Sequence, residues 1–156
     1  MTREVVEPSS RLLVPPVYLL VALLLMGFFH NVVPLARLIH APYRYGGLVL
    51  IGLAITLIAW AALLFRRAGT DVRPFKPSTA LVTDGPYSFT RNPMYLGMAG
   101  ILLGAAIYLG SVTPFIVIPG FMAVITERFI LGEEQKMERA FGSHYLAYKE
   151  KVRRWL

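Results

Sequence analysis

Two short polar segments hold residue types that could bind a charged ligand. In the first, Arg91 precedes Asn92 and Pro93, a pair typical of a helix start because proline suits the first helical turn. Arginine together with free backbone N–H groups at a helix N-terminus can bind an anion. The alternative is that Arg91 extends toward lipid phosphate, as long cationic side chains near a membrane do. The residues alone leave both interpretations open.

The second polar segment holds the adjacent acids Glu133 and Glu134 at the end of a long apolar stretch. Acids at such a position commonly have a partner or a function. The seven-residue spacing of Glu127 and Glu134 predicts that they share a helix face. A solvated helical face is the simpler interpretation for any single one of these acids. The helix is predicted to end at Phe141-Gly142.

Several common reaction classes are excluded by missing residues. The chain has no cysteine, which excludes disulfides, thiolate nucleophiles and cysteine-based metal sites. His30, His40 and His144 are isolated, so no metal site is predicted. The sequence also has no G-x-S-x-G motif, no Walker loop and no G-x-G-x-x-G motif.

The elements that must position the polar segments are membrane helices. Apolar residues make up 56% and charged residues 16% of the 156-residue chain, against about 25% charged residues in an average soluble domain. Uncharged stretches of about 18–20 residues match the ~30 Å hydrocarbon core, and Gly110–Pro114 divides the longest stretch in two. We predict an all-α integral membrane protein with a single domain, 1–156, and a C-terminal interfacial helix. The predicted spans are about 12–29, 46–65, 94–110 and 112–131.

Small and helix-breaking residues inside the spans predict how the helices pack. Gly100 and Gly104 form a G-x-x-x-G pair, which favours close helix packing in lipid. Pro119-Gly120 is predicted to kink the fourth span. The kink suggests a portal beside the third and fourth spans, through which an apolar ligand could enter from the bilayer.

The charges predict the orientation of the chain. A net charge of +7 could indicate nucleic acid in a soluble protein, but a membrane protein explains it by the positive-inside rule. With four spans, Arg37 and Arg44 lie alone on one side, and the other 14 basic residues and all nine acids share the opposite side. Both termini are therefore predicted to be cytoplasmic. No nucleic-acid partner is predicted.

The C-terminal segment is predicted to anchor the chain at the membrane surface. Its aromatic residues suit an interfacial belt, and its cations suit contacts with lipid headgroups. The aromatic residues are Tyr145, Tyr148 and Trp155, and the cations are Lys149, Lys151, Arg153 and Arg154.

Together, the two polar segments resemble the isoprenylcysteine carboxyl methyltransferase family over about residues 72–155. The first part of the resemblance is Leu81–Tyr87 followed by Thr90–Gly97. The second part is carried by Arg128, Glu133-Glu134, Phe141-Gly142, Tyr145 and Tyr148. The related phospholipid methyltransferases share the Arg-x-Pro-x-Tyr and Glu-Glu signature. One departure is Asn92, where many members of the family have histidine.

The resemblance implies an integral membrane methyltransferase that uses S-adenosylmethionine. Its cofactor pocket would face the cytoplasm between segments of about 74–97 and 127–150. The cofactor-binding residues implied are Gly85, Tyr87, Arg91, Asn92, Pro93, Tyr95, Glu133 and Glu134. Arg91 and Glu134 are expected to be catalytic, and Arg128 and Tyr145 to bind the methyl acceptor.

The chemistry of the cofactor fits these residue types. Arg91 suits its carboxylate, and Glu133 or Glu134 suits its ammonium group or ribose diol. Tyr87 and Tyr95 suit adenine stacking or a cation–π contact with the sulfonium. The expected acceptor is a lipophilic or lipid-linked molecule, and the leading reaction is carboxyl O-methylation of the isoprenylcysteine type. The alternatives are a phospholipid-type N-methyltransferase, a sterol-reductase-like NADPH enzyme, and a small membrane transporter or assembly protein.

Overall fold

The computed structural model describes residues 14–69 and 80–156, and these form helices and no strand, which confirms the all-α prediction. The segment 74–78, predicted as part of the cofactor pocket, lies outside the described residues. The six α-helices are α1 (Pro15–Val32), α2 (Gly46–Arg67), α3 (Pro93–Leu109), α4 (Val117–Ile125), α5 (Leu131–Phe141) and α6 (Ser143–Lys151). The short 3-10 turns are Tyr43–Tyr45, Gly85–Ser88 and Thr113–Ile116, and a π turn covers Thr126–Ile130.

The helix lengths agree with the predicted spans except at the fourth. Three apolar helical stretches are long enough to cross a membrane, Pro15–Val32, Tyr43–Arg67 and Thr113–Phe141, while Pro93–Leu109 is apolar but shorter. The first span was predicted to begin at residue 12, which the structure does not describe. The fourth span was predicted to end near 131, but its helix continues through the two glutamates to Phe141. The acids therefore lie on the same continuous helix as the apolar residues.

The ends of α3 follow from local sequence. Asn92 is its N-cap residue and Pro93 its first residue, as predicted, because proline lacks only an N–H that has no helical partner there. Gly110 ends the helix with a φ of 78°, a conformation that glycine adopts without steric cost. The N–H groups of Leu38 and Ile39 donate to the Gly110 carbonyl, so the loop after α1 is fixed to this turn. Gly142, with a φ of 52°, similarly follows the predicted end of α5 at Phe141.

Small residues allow α2 and α3 to pack closely. A Cβ atom on Gly104 would lie 2.6 Å from the carbonyl oxygen of Gly47, and one on Gly100 would lie 3.0 Å from the Cβ of Ala54. Such spacing leaves no room for a larger side chain at Gly104. The predicted packing role of the G-x-x-x-G pair is confirmed.

The π turn changes which residues of the last long helix face inward. It inserts an extra residue into the helical turn, and Phe129 and Ile130 are both buried there. The prediction that Glu127 and Glu134 share a face was wrong, because Glu127 is exposed whereas Glu134 is 6% exposed. The seven-residue rule assumes an uninterrupted α-helix, and the irregular turn lies between the two acids.

The buried core joins α1, α3 and the helix that runs from Thr113 to Phe141. Met26, Leu102, Ile125 and Ile130 are fully buried in it. Trp155 packs against this core cluster, which brings the end of the described chain beside the glutamates. The core therefore supports the polar site from one side.

Candidate active site

Arg91 is buried at the start of α3 and has protein partners in three directions. Its Nη1 donates to the carbonyl oxygens of Lys149 and Val152, each at 3.0 Å. Its Nη2 donates to Oε1 of Glu134 at 2.9 Å. The side chain is 8% exposed, which rules out the interpretation that it extends to lipid phosphate. Arg91 therefore closes the C-terminal end of α6, where backbone carbonyls lack helical partners.

Glu134 receives a second arginine from the other side. Arg154 donates from Nε to Oε1 at 3.0 Å and from Nη2 to Oε2 at 2.8 Å. The Glu134 side chain is 7% exposed, whereas that of Arg154 is 34% exposed. The hydrogen bond to Glu134 raises the pKa of Arg154 above its ordinary value. Arg91, Glu134 and Arg154, called here the arginine cluster, form one hydrogen-bonded unit.

Residues 152–156, called here the C-terminal strap, are held by the segment that precedes α3. The Arg91 N–H donates to the carbonyl of Arg153 at 2.9 Å. The carbonyl of Arg154 accepts from Thr90 Oγ1 at 3.2 Å and from Asn92 Nδ2 at 3.0 Å. Asn92 thus contacts the strap with its side-chain amide, in a contact that needs no charge. The strap position follows from hydrogen bonds that no short motif encodes.

A second, partly buried polar pair lies beside the arginine cluster. The Tyr95 hydroxyl donates to Oε1 of Glu133 at 2.8 Å, which joins α3 to α5. Tyr95 is 8% exposed, and its ring lies 6.4 Å from that of Phe129. The predicted residues Tyr95 and Glu133 are therefore brought together.

Tyr87 contributes a buried hydroxyl without a hydrogen-bond partner. It is 4% exposed, its ring lies 5.1 Å from Phe65, and its hydroxyl makes no hydrogen bond. Burial, and to a smaller extent the nearby Tyr148 and Glu133, raise the pKa of this phenol. An unpaired buried hydroxyl is costly, so this atom is a natural contact for a polar ligand.

Gly85 is explained by the geometry of its turn. Its φ is 59°, and a Cβ atom would lie 2.8 Å from Leu64 and 3.1 Å from Trp60. Only glycine fits this conformation and this close approach to α2. Gly85 thereby sets the position of Tyr87 two residues later. Its predicted contact with the cofactor stays a prediction.

The C-terminal aromatic residues pack into the site. Tyr145 is 3% exposed, so its assignment to an interfacial belt was wrong. The Tyr148 hydroxyl donates to the carbonyl of Tyr87 at 2.6 Å, and burial raises the pKa of Tyr148 to about 12. Tyr148 therefore links α6 to the segment before α3, and the Tyr145 ring packs 6.1 Å from that of Tyr148.

The predicted acceptor-binding residues lie in different surroundings. Tyr145 belongs to the buried site. Burial is the largest cause that raises its pKa, and the charge of Glu134 raises it further. Arg128 is exposed on the π turn. Lys149, predicted to contact headgroups, pairs with Glu138 at 3.1 Å, with both side chains 35% exposed. Arg154, also predicted to contact headgroups, pairs with Glu134, and the headgroup contacts of both cations stay a prediction.

An apolar lateral groove of about 400 Å³ runs along the bundle between α2, α3 and α4. Its lining includes Leu53, Leu57, Gly100, Leu103, Ile118 and Met122. Leu96, the residue after Tyr95, and Leu156 of the C-terminal strap also line it. The groove therefore connects the apolar faces of three helices with the end of the bundle that carries the arginine cluster.

The groove lies beside the third and fourth spans, where a portal is predicted, but Gly120 does not line it, and ligand entry there stays a prediction. No atom lies within 4 Å of a Cβ built on Gly120, and the residue is exposed outside the groove lining. The α4 residues that line the groove are Ile118 and Met122.

Sequence reasoning missed two parts of the site. Arg154 carries no spacing signal, and the backbone of the C-terminal strap is invisible in a residue pattern. The only available signal was a pair of acids at the end of an apolar stretch together with an excess of cations near the C-terminus.

Comparisons with known proteins give a similar protein and a family. An uncharacterized protein of Haemophilus influenzae is 41% identical over 63 residues, which cover 40% of this chain and 100% of that protein. The family model described as phospholipid methyltransferase matches residues 43–144, which include α2, α3 and both glutamates. Because this match covers more than half of the sequence, the chain belongs to the phospholipid methyltransferase family.

Proposed function

We propose that this chain transfers a methyl group from S-adenosylmethionine to a lipid acceptor that enters from the bilayer. Membership of the phospholipid methyltransferase family makes it a multi-pass membrane methyltransferase for a lipid-type acceptor. The observation that carries the finer proposal is the meeting of the arginine cluster, the Tyr95–Glu133 pair and the lateral groove at one end of the bundle.

The polar side chains at this end of the bundle fit the chemistry of S-adenosylmethionine. Two buried polar atoms, the Tyr87 hydroxyl and Nε of Arg91, have no partner. The arginines suit a carboxylate, Glu133 suits an ammonium group, and the tyrosine rings suit adenine or a cationic sulfur. When bound, the cofactor supplies an electrophilic methyl group on its sulfonium.

We assign positioning roles to most of the residues that would hold the cofactor. Arg91 and Glu134 hold each other, α6 and the C-terminal strap, so we assign them to the frame of the pocket instead of to contact with the reacting atoms. Tyr95 orients the Glu133 carboxylate. The buried aromatic side chains exclude water, and holding donor and acceptor in line is the main contribution that this geometry can make.

The leading acceptor is a lipid-linked carboxylate of the isoprenylcysteine type. Such a group is already an anion and needs no base to accept a methyl group. The second candidate is the amine of a phospholipid, which must lose a proton. The partly buried Tyr95–Glu133 pair supports this candidate, because it offers a carboxylate, held by the Tyr95 hydroxyl, that can accept the proton.

Cofactor binding is the first expected result. Titration of the detergent-purified chain with S-adenosylhomocysteine should give saturable binding, and titration with NADPH should give none. Glu133→Ala should weaken S-adenosylhomocysteine binding about tenfold to a hundredfold, since a charged hydrogen-bond partner contributes ~1.5–3 kcal/mol. The matched control Glu127→Ala removes an exposed acid from the same helix and should leave affinity unchanged.

To identify the atom that accepts the methyl group, the same preparation is incubated with methyl-labelled S-adenosylmethionine and membrane lipid. Carboxyl methyl esters release labelled methanol in mild base, whereas methylated amines retain their label. Base-labile product supports the carboxylate, and base-stable product supports the amine. Binding of NADPH alone would overturn the methyltransferase proposal in favour of a reductase.

The orientation of the chain is the second expected result. We propose that both termini are cytoplasmic, because the basic residues are concentrated on the side of the termini and of the segment between α2 and α3. Reporter fusions at Trp155 and near Arg44 should report opposite sides of the membrane. The same side for both fusions would contradict the four-span arrangement.

A further inference from the structure

The charges of the arginine cluster do not balance. Arg91 and Arg154 are two cations that share the single carboxylate of Glu134. The nearest other acids have partners of their own, since Glu133 accepts a hydrogen bond from Tyr95 and Glu138 pairs with Lys149. A partly buried positive charge in excess favours the binding of an anion.

The two arginines differ in their access to a ligand. Arg91 is enclosed, with Nη1 on two carbonyl oxygens and Nη2 on Glu134. Arg154 uses Nε and one terminal nitrogen for Glu134 and leaves a third of its side chain exposed. Nε of Arg91 is buried without a partner beside it. Of the two arginines, only Arg154 is therefore open to a ligand.

We propose that Arg154, which lies beyond the part of the chain that matches the family, binds the carboxylate of the methyl donor, with Arg91 and Glu134 as the frame that orients it. This inference rests on the proposed function and moves the carboxylate contact from Arg91 to Arg154. A guanidinium already fixed by a bidentate carboxylate contact has little freedom left to lose when a second anion binds.

Arg154 lies outside the lining of the lateral groove. Its neighbours Arg153 and Lys151 are exposed. The lateral groove, by contrast, is lined by apolar side chains. The donor and the acceptor would therefore approach from different sides of the C-terminal strap.

The test compares two ligands that differ only in the carboxylate. S-adenosylhomocysteine and its decarboxylated analogue are titrated by calorimetry into the detergent-purified full chain. The wild type should prefer the carboxylate-bearing ligand about tenfold to a hundredfold, the usual effect of one charged hydrogen-bond partner. Arg154→Ala should reduce this preference nearly to unity, and Arg154→Lys should keep part of it. The control Arg153→Ala removes an adjacent exposed cation and should keep it in full.

The ratio of the two affinities separates binding from a purely structural role. If Arg154 only holds Glu134, both ligands should weaken equally and the preference should persist, which would overturn the proposal. The proposal is also overturned if Arg154→Ala leaves both affinities and their ratio unchanged. It is likewise overturned if Arg154→Ala changes only the KM for the acceptor, because Arg154 would then contact lipid phosphate instead. If the wild type binds neither ligand, the proposed function itself fails. If Arg154→Ala does not fold, the ratio of the two affinities is measured with Arg154→Gln instead, because the glutamine side chain can still donate to Glu134.

Discussion

Replacing Arg91 with alanine should destabilise the folded chain by about 3–5 kcal/mol, the usual cost of breaking a buried ion pair by removing one partner. The substitution removes the Nη2 contact with Glu134 and leaves the carbonyls of Lys149 and Val152 without their donor. Because these carbonyls belong to the end of α6 and the C-terminal strap, both should loosen. The expected readout is a fall in the apparent Tm on the order of 10 °C in detergent.

Two further variants decide whether the geometry of Arg91 or its charge alone matters. Arg91→Lys keeps the charge but lacks the planar guanidinium that donates to three partners at once. The Tm of this variant should therefore lie between those of the wild type and Arg91→Ala. Arg128→Ala removes an exposed arginine and should change stability by less than about 0.5 kcal/mol. If Arg91→Ala unfolds at the same temperature as Arg128→Ala, Arg91 has no structural role.

The helices and their ends could be predicted from the sequence because their causes are local. The span at 46–65 is visible as an uncharged apolar run, and α2 occupies Gly46–Arg67. Pro93 marks the first residue of α3, and Gly110 and Gly142 mark helix ends. In each case, the residue type itself favours the backbone conformation observed.

The pairing within the site could not be predicted in the same way. Arg91 and Glu134 were each identified as charged residues of interest, but both were assigned to a ligand. In the structure they bind each other, although 43 residues separate them. Neither periodicity nor a short motif specifies such a contact, because it depends on how α3, α5 and the C-terminal strap come together. Arg154 was assigned to lipid for the same reason.

The prediction of which face the acids of the last long helix occupy failed because of a single irregular turn. A spacing of seven residues predicts one face only while the helix keeps 3.6 residues per turn. The π turn at Thr126–Ile130 interrupts this period. It lets Phe129 and Ile130 face the core while Glu134, farther along, points at two arginines. Nothing in the residue types of the turn indicates the extra residue.

Filling the lateral groove should block the lipid acceptor while sparing the cofactor. Leu103 lines the groove and is 39% exposed, so Leu103→Trp adds bulk there without entering the buried core. We expect methylation of a lipid-linked acceptor to slow by on the order of a hundredfold, because misplacing a reactant by about 1 Å can have that effect. The affinity for S-adenosylhomocysteine should stay at the wild-type value, since the arginine cluster is untouched.

The matched control is Gly120→Trp, which introduces the same side chain on α4 where no atom lies within 4 Å of its Cβ. It should leave turnover of the lipid acceptor near the wild-type rate. A short water-soluble analogue of the acceptor, which has no chain to seat in the groove, should be methylated equally by the wild type and by Leu103→Trp. If Leu103→Trp and Gly120→Trp slow the lipid acceptor equally, the effect comes from the bulk of tryptophan in the bilayer. The acceptor would then reach the glutamates by a route other than the space between α2, α3 and α4.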